Sequence, residues 1–351
     1  MTATDLFMNG AATGSVAQML LNSNMDYRAL QVWREPDGRS FRNMVVNGKE
    51  VAVQVQNAGF LTREEWVDID RVVLKSARLR LQAVADVLAA GLTYNVPGGL
   101  GKTVIQQKTL TDVYNASISM DGLREADRFA PVSDLVNFPL PLIHSDWSWS
   151  IRDLAVSRQG DAPLDMTSPE AAAFGIAEQV EMLLIGLGSY SFGGGTIYGY
   201  LNHPDRTTFA MTDYTGGSWT PADTVADIIA MKDAMRQIKM YGPWVLYFSP
   251  DWDLVLDQDY SSAKGDNTLR ERIAAINGIS KVATLDYLPS HTCVMVRMQS
   301  NTVRMVNFLP LTTLQWDTHG GMAVNFKTVL GQVPQVRANG DGNAGVCHGS
   351  F

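Results

Sequence analysis

The sequence predicts an α+β fold in which helices and groups of β-strands occupy separate stretches of the chain. Residues 167–188 place apolar side chains at three- and four-residue steps, as a helix packed on a core does. Residues 95–160 contain strand-like stretches and few helix signals. Residues 219–309 combine capped helices with apolar strands of low charge, which predicts a compact α+β domain.

Composition narrows the classes of function that the chain can have. Of its 351 residues 46% are apolar, which is enough for substantial cores, and its net charge of −8 argues against a dedicated nucleic-acid binder. Two cysteines, Cys293 and Cys347, provide no disulfide framework and favour a reducing compartment. No apolar run approaches about 18 residues and the first basic residue is Arg28, so we expect neither a membrane span nor a signal peptide.

The N-terminal extension, residues 1–60, contains one clear element. Residues 42–56 alternate apolar and polar side chains around Asn47-Gly48, the strongest short signal for a β-hairpin. A two-stranded hairpin alone is marginally stable in water. We therefore expect this hairpin to pack on another part of the molecule.

A helix is predicted within residues 61–94, with Thr62 as its N-cap, Glu65 completing a capping box and Gly91 as its terminator. Three basic residues share one of its faces at helical spacing: Arg71, Lys75 and Arg78. This face is either simply solvated or a basic stripe against a polyanion, where each contact would add a salt-dependent contribution.

Residues 95–160 are predicted to form a long two-stranded arm. The strand-like stretches 103–113 and 142–156 flank a polar segment rich in proline, and the whole has too little apolar mass for a domain. The second strand alternates large apolar residues with polar ones: Trp147, Trp149 and Ile151. These side chains either pack as ordinary strand residues or make an intersubunit contact, and the arm must lie on a neighbour.

The next stretch, 161–218, is dominated by the helix at 167–188, for which Thr167 and Glu170 form a candidate capping box. In 219–309, Thr220 and Asp223 begin a further helix, and the charge-free stretch 244–248 predicts a buried central strand. Three more strands are expected, at 279–285, 292–299 and 303–309. A mobile loop is expected at 258–267, and Thr268 with Glu271 is expected to cap a helix directly after it. A last strand is expected at 323–329, and a mobile Gly- and Asn-rich tail over 332–351.

Motifs for catalysis or cofactor binding are not recognisable. The run 98–103 is similar to a phosphate-binding loop, but Val96 occupies the position of its first glycine. No serine lies in a G-x-S-x-G elbow, and the five histidines lack the spacing of metal ligands. We therefore expect no cofactor, no metal and no enzymatic activity, with a soluble enzyme of unknown class as the remaining non-structural alternative.

The order of elements resembles the Hong Kong 97 fold, the capsid-protein fold that tailed bacteriophages share with encapsulin nanocompartments. Residues 61–70, LTREEWVDID, are similar to the first helix of encapsulins. Residues 139–154 followed by the long helix look like the strand that leads into the spine helix of this fold. Residues 242–252, GPWVLYFSPDW, resemble the strand and helix of its axial domain.

This resemblance implies a domain for each stretch of the chain. After the N-terminal extension at 1–60 come an N-arm helix (61–94), an extended β-loop (95–160), a peripheral domain with the spine helix (161–218), an axial domain (219–309), and returning peripheral strands with the tail (310–351). The loop 258–267, which contains Tyr260, Lys264 and Asp266, would point toward the capsomer axis.

By resemblance the protein is a structural subunit that self-assembles into the icosahedral head of a tailed bacteriophage around double-stranded DNA. The alternative is an encapsulin-type shell that encloses an enzyme cargo; the N-terminal extension and the Gly-rich tail favour the phage. Expected partners are copies of the chain in pentamers and hexamers, DNA held non-specifically, and scaffolding, portal or decoration proteins, with no membrane. The expected location is the virion, after assembly in the host cytoplasm. Deletion of residues 105–155 is expected to leave a soluble subunit that forms no shells.

Overall fold

The structure is a computed structural model. It describes these parts of the chain: residues 82–110, 133–159, 166–260, 267–319 and 322–351, the backbone of three strands at 32–34, 40–46 and 49–55, and the single residues 69, 72, 73, 118 and 120.

A three-stranded antiparallel sheet precedes the main body. Its strands are β1 (Val32–Arg34), β2 (Ser40–Val46) and β3 (Lys49–Val55). Val46 pairs with Lys49 across Asn47-Gly48, so the predicted hairpin is confirmed in position and register.

We name the four-stranded and five-stranded sheets after the peripheral and axial domains that the resemblance predicts for these stretches. The peripheral domain is a four-stranded sheet covered by two helices. The strands run in the order β4 (Thr93–Asn95), β14 (Val303–Thr318), β15 (Ala323–Val336), β7 (Ile143–Ser150). Helices α1 (Gln82–Ala89) and α3 (Thr167–Ile185) pack on this sheet and on each other. Their buried faces meet in one apolar cluster, to which α3 contributes Ile176, Val180 and Leu184.

Helix α3 is the predicted spine helix, and its two ends differ from the expectation. Met166, rather than Thr167, is the N-cap residue, and the Met166 side chain makes no capping hydrogen bond. The helix ends at Ile185 because Gly186 adopts a left-handed conformation with φ of 96°. The backbone amides of Tyr200 and Leu201 then donate to the carbonyls of Leu184 and Ile185, at 2.9 and 2.8 Å, which pairs two terminal carbonyls.

The axial domain is a five-stranded mixed sheet in the order β10, β16, β13, β11, β12. Its strands are β10 (Thr207–Ala210), β11 (Trp244–Phe248), β12 (Ile279–Thr284), β13 (Thr292–Arg297) and β16 (Val346–Ser350). The helices of this domain are α4 (Pro221–Gln237), α5 (Asp253–Leu256) and α6 (Leu269–Ala274). Every residue of β11 is buried, and Thr220 and Asp223 form the predicted capping box of α4.

The arm is built from different strands than the sequence pattern suggests. Strand β5 (Val104–Leu110) pairs with β6 (Ser133–Pro139), whereas β7 pairs with β15 inside the peripheral sheet. The predicted strand at 142–156 also ends early, because Ser150 accepts a hydrogen bond from the Asp153 amide at 3.1 Å and caps helix α2 (Ile151–Gln159). A deletion of 105–155 would therefore remove a core strand as well as the arm, so a soluble subunit is no longer the expected product of this deletion.

The C-terminal stretch was wrongly predicted as a mobile tail. Strand β16 lies between β10, with which it is parallel, and β13, with which it is antiparallel. Cys347 is fully buried in the axial core. In addition, residues 303–309 belong to β14 of the peripheral sheet, so the axial domain combines residues 207–297 with the C-terminal strand.

Candidate assembly surfaces

The root of the arm, the end of the β5–β6 ribbon at which Val104 pairs with Pro139, packs on its own subunit. Phe138 and Leu140 are buried with Ile197 and Phe308 in a separate apolar cluster. The Asn137 side-chain amide donates to the Gly193 carbonyl at 2.9 Å. A Cβ at Gly195 would lie 2.1 Å from the Asn137 carbonyl oxygen, so the backbones touch at a position that only glycine permits.

Beyond this root, both faces of the arm carry exposed apolar side chains. Leu135 and Val136 are 53% and 51% exposed, and as neighbours in a strand they point to opposite faces. The hairpin next to the root, made of β8 (Tyr190–Phe192) and β9 (Gly195–Ile197), also exposes Tyr190 and Phe192. Gly193 and Gly194 have φ of 61° and 77°, as a tight two-residue turn requires.

Trp147 and Trp149 were candidates for an intersubunit contact, but the structure buries them inside the subunit. The Trp147 ring stacks on Phe326 with centroids 4.0 Å apart, and Trp149 meets the same ring edge-on at 5.3 Å. The two rings share a cluster with Ile69, Val73 and Leu154, which is ordinary strand packing. Ile151, the third candidate, is half-buried and begins α2 instead of continuing the strand.

Between residues 61 and 81, which bear the basic stripe, the structure describes only three residues. Ile69, Val72 and Val73 are helical, and Ile69 and Val73 are buried against the tryptophan cluster. Arg71, Lys75 and Arg78 lie outside the described residues, as does the predicted cap Thr62. The DNA-facing role of this stripe remains a prediction.

The loop predicted to point toward the capsomer axis, here called the capsomer-axis loop, is closed at its base. The Tyr260 amide donates to the Asn267 carbonyl at 3.0 Å, and Asp259 and Thr268 form a β-bridge. Tyr260 is half-buried, and the Arg272 guanidinium lies 5.8 Å from its ring centroid. Lys264 and Asp266 lie in 261–266, outside the described residues. Thr268 caps α6 by accepting from the Glu271 amide at 3.3 Å, which confirms that helix start.

Helix α1 is the joint between the two domains. From α3, the buried Glu181 carboxylate accepts the amides of Ala83 and Val84, at 2.8 and 3.3 Å, and so caps the first turn of α1. From the axial sheet, the Tyr247 hydroxyl and the Lys281 ammonium donate to Asp86, at 3.0 and 2.6 Å. The short helix is therefore tied on one side to the spine and on the other to the axial sheet.

The electrostatics of this joint follow from burial. Burial raises the pKa of the Glu181 carboxyl, and the two amides that it accepts oppose this only in part. Burial also raises the pKa of the Tyr200 and Tyr247 hydroxyls well above the usual value, and the negative charge of Asp86 acts in the same direction on both. In the sequence, Glu181 is one of three acidic residues of α3. Its position among the apolar residues of the buried helix face was the signal for its role.

The described residues contain no group of three or more histidine, cysteine or acidic side chains placed to hold a metal ion. Within the same part of the chain, no helix is long and apolar enough to cross a membrane.

The chain combines a spine helix on one sheet, a second sheet that includes the C-terminal strand, and a ribbon-like arm. This is the fold of capsid shell proteins. The virus-like particle from Pyrococcus furiosus matches 81% of this chain and 99% of its own, with a TM-score of 0.58 and 13% identity. The capsid of Myoviridae Phage XM1 matches 74% of this chain and 90% of its own, with a TM-score of 0.57 and 12% identity. The capsid of a native GTA particle matches 74% and 87%, with a TM-score of 0.55 and 11% identity.

These matches confirm the predicted Hong Kong 97-like fold. The chain itself belongs to a family of unknown function (DUF6260), whose model matches residues 55–349.

Proposed function

We propose that this protein is the major capsid protein of a tailed bacteriophage, a structural subunit that self-assembles into an icosahedral shell around double-stranded DNA. The observation that carries this proposal is the arm: it is anchored at its root and exposes apolar side chains on both faces beyond it. A two-stranded ribbon is marginally stable alone, so this one needs a neighbouring surface on each side. Copies of the same chain in a closed shell supply both surfaces.

The phage is favoured over an encapsulin-type compartment by the likeness to capsids of Phage XM1 and of the GTA particle, together with the separate N-terminal sheet β1–β3. In this proposal copies assemble as pentamers and hexamers whose different curvatures are absorbed by the capsomer-axis loop. The stripe Arg71, Lys75 and Arg78 faces the DNA, which it contacts non-specifically. Scaffolding, portal or decoration proteins complete a virion assembled in the host cytoplasm. The role is structural, without enzymatic activity.

Electron microscopy of the full-length protein and of particles from the native source tests this proposal. We expect closed icosahedral particles, and native particles that contain nuclease-protected DNA. A co-purifying enzyme in place of DNA would establish the compartment alternative instead. A protein that stays monomeric at high concentration would contradict any role as a shell subunit.

A further inference from the structure

Two arginines at the root of the arm have no acidic partner among the residues that the structure describes. Arg304 on β14 lies opposite Gln335 on β15, and the Arg337 amide extends this ladder by donating to the Thr302 carbonyl at 2.7 Å. Arg304 and Arg337 are thus diagonal neighbours on one face, where Cα atoms are about 7–8 Å apart. Like charges at this spacing repel each other, so their placement calls for an explanation.

The neighbours of both guanidinium groups are neutral. Arg304 donates to the Gln335 side-chain oxygen at 2.7 Å and lies 4.2 Å from the Tyr94 ring centroid. The Arg337 Nε is buried without a hydrogen-bond partner, and no carboxylate of the described residues forms an ion pair with either arginine. Burial lowers the pKa of both groups, and at Arg304 the charge of Arg337 adds to this. Both nevertheless stay charged, since an arginine pKa begins above about 12.

Arg337 lines a cleft of about 530 Å³ beside the arm root. Gln107 and Asn137 of the arm, Tyr198, His203, Asp205 and Asn339 line the same cleft. Gln335 connects the two sides, because its side-chain amide donates to Gln107 at 2.8 Å. Asp205 raises the pKa of His203 against the larger lowering by burial, but does not pair with Arg337.

We propose that this cleft receives an acidic segment of a second copy of the chain, whose carboxylate pairs with Arg337 next to the second positive charge of Arg304 when subunits assemble. A guanidinium presents a planar fork of donors that matches a carboxylate. The chain, with a net charge of −8, offers carboxylates in excess. The cleft adjoins the arm, which the proposed function already places at an interface, and the inference rests on that function.

A DNA phosphate is the competing anion, and the shape of the site disfavours it. Duplex DNA is a stiff rod that contacts cations on open faces, whereas a cleft of about 530 Å³ between the arm and a strand end admits a side chain or a short peptide.

Assembly of Arg337→Gln and of the double variant Arg304→Gln/Arg337→Gln tests this inference. Arg236→Gln is the matched control, because it removes the same charge from an exposed position on α4. We expect Arg337→Gln to raise the protein concentration required for shell formation at least about tenfold, and the double variant further, with little change in the control. Arg337→Lys should restore part of the loss, since it keeps the charge without the fork.

The melting temperature of unassembled subunits separates binding from folding. Because the two charges repel, we expect Arg337→Gln subunits to be as stable as wild type or more so; a matching loss of stability would make Arg337 a structural residue and overturn the inference. Variants that assemble like the control would also overturn it, as would normal shells that retain less DNA, which would assign the cleft to phosphate. Failure of the wild type to assemble would contradict the proposed function itself.

Discussion

At the scale of single residues, the contacts of helix α1 depend on side chains from distant parts of the sequence. Glu181 lies near the C-terminal end of α3, yet its carboxylate caps a helix almost one hundred residues earlier. Desolvation opposes the charge of this carboxylate, while the amides of Ala83 and Val84 would be left without partners if it were removed. The residue therefore couples two helices at the cost of a buried charge.

Glu181→Ala should destabilise the subunit by about 2–4 kcal/mol at pH 7, because two buried amides lose their acceptor. Glu181→Gln retains an acceptor oxygen and should cost less. Denaturant unfolding of the two variants and wild type measures both effects. An alanine variant as stable as the glutamine variant would show that water replaces the carboxylate.

The pH dependence of the same residue has a definite sign. Its folded pKa is raised above the ordinary value of 4.5, so the folded state binds the proton more tightly than the unfolded state. The protonated Glu181 carboxyl therefore stabilises the folded state relative to the unfolded state. This stabilisation is fully present below pH 4.5 and is lost as the pH rises through the folded pKa of Glu181. The stability of wild type relative to Glu181→Gln should therefore fall from pH 4.5 to pH 7, and a difference independent of pH would contradict the assignment.

Two glycines near the spine helix show how packing decides the effect of one methyl group. A Cβ at Gly199 would lie 2.4 Å from the Gly186 amide and the Leu183 carbonyl, whereas a Cβ at Gly175 meets nothing within 4 Å. Gly199→Ala should cost about 3 kcal/mol or more, because rigid backbone must move. Gly175→Ala, inside α3, should stabilise the subunit by about 0.5–1 kcal/mol. Thermal unfolding of subunits compares the two; equal effects would mean that the loop 198–202 does not press on the helix end.

At the scale of elements, the sequence predicted what local patterns specify. Thr220 with Asp223, Thr268 with Glu271, Asn47-Gly48 and the apolar run of β11 each act within a few residues, and all four elements are where they were expected. Strand partners depend on contacts between distant segments, and no local pattern distinguishes β6 from β7 as the partner of β5. The missed signal at β7 was local: the cap that Ser150 makes with Asp153.

The arm can be removed without touching the peripheral sheet. Gln107 and Val136 face each other across β5 and β6, so residues 108–135 can be replaced by an Asn-Gly turn that closes the root. We expect this variant to fold as a monomer with a melting temperature close to that of wild type and to form no shells. Deletion of 105–155 is the contrasting case: it also removes Trp147 and Trp149, and should leave no cooperatively folded subunit.

Circular dichroism and size-exclusion chromatography measure the outcome for both deletions. Normal shells from the shorter deletion would show that the arm makes no necessary contact between copies. A folded subunit from the longer deletion would show that β7 is dispensable to the peripheral core.

At the scale of the whole molecule, the chain passes between its two domains more than once. It enters the axial sheet at β10, leaves after β13, builds the peripheral hairpin β14–β15, and returns to insert β16 between β10 and β13. The segment that composition alone marked as a flexible tail thus closes the axial sheet. Glycine and asparagine content predicted flexibility because they are common in loops, but Val346 and Cys347 are fully buried once the strand is paired.

Truncation after Asn343 tests whether this returning strand holds the axial domain together. It leaves β10 and the β13 edge without their shared neighbour and removes Cys347 from the apolar cluster that contains Cys293. In the intact protein both thiols are buried, and burial raises their pKa, so a thiol reagent at pH 8 should react slowly with either. In the truncated protein, Cys293 should react at least about a hundredfold faster, because the axial sheet opens to solvent.

Removal of residues 32–55 is the matched control, since it takes away a whole separate sheet and should leave thiol reactivity unchanged. Slow reaction of Cys293 after the C-terminal truncation would mean that the axial sheet closes without β16.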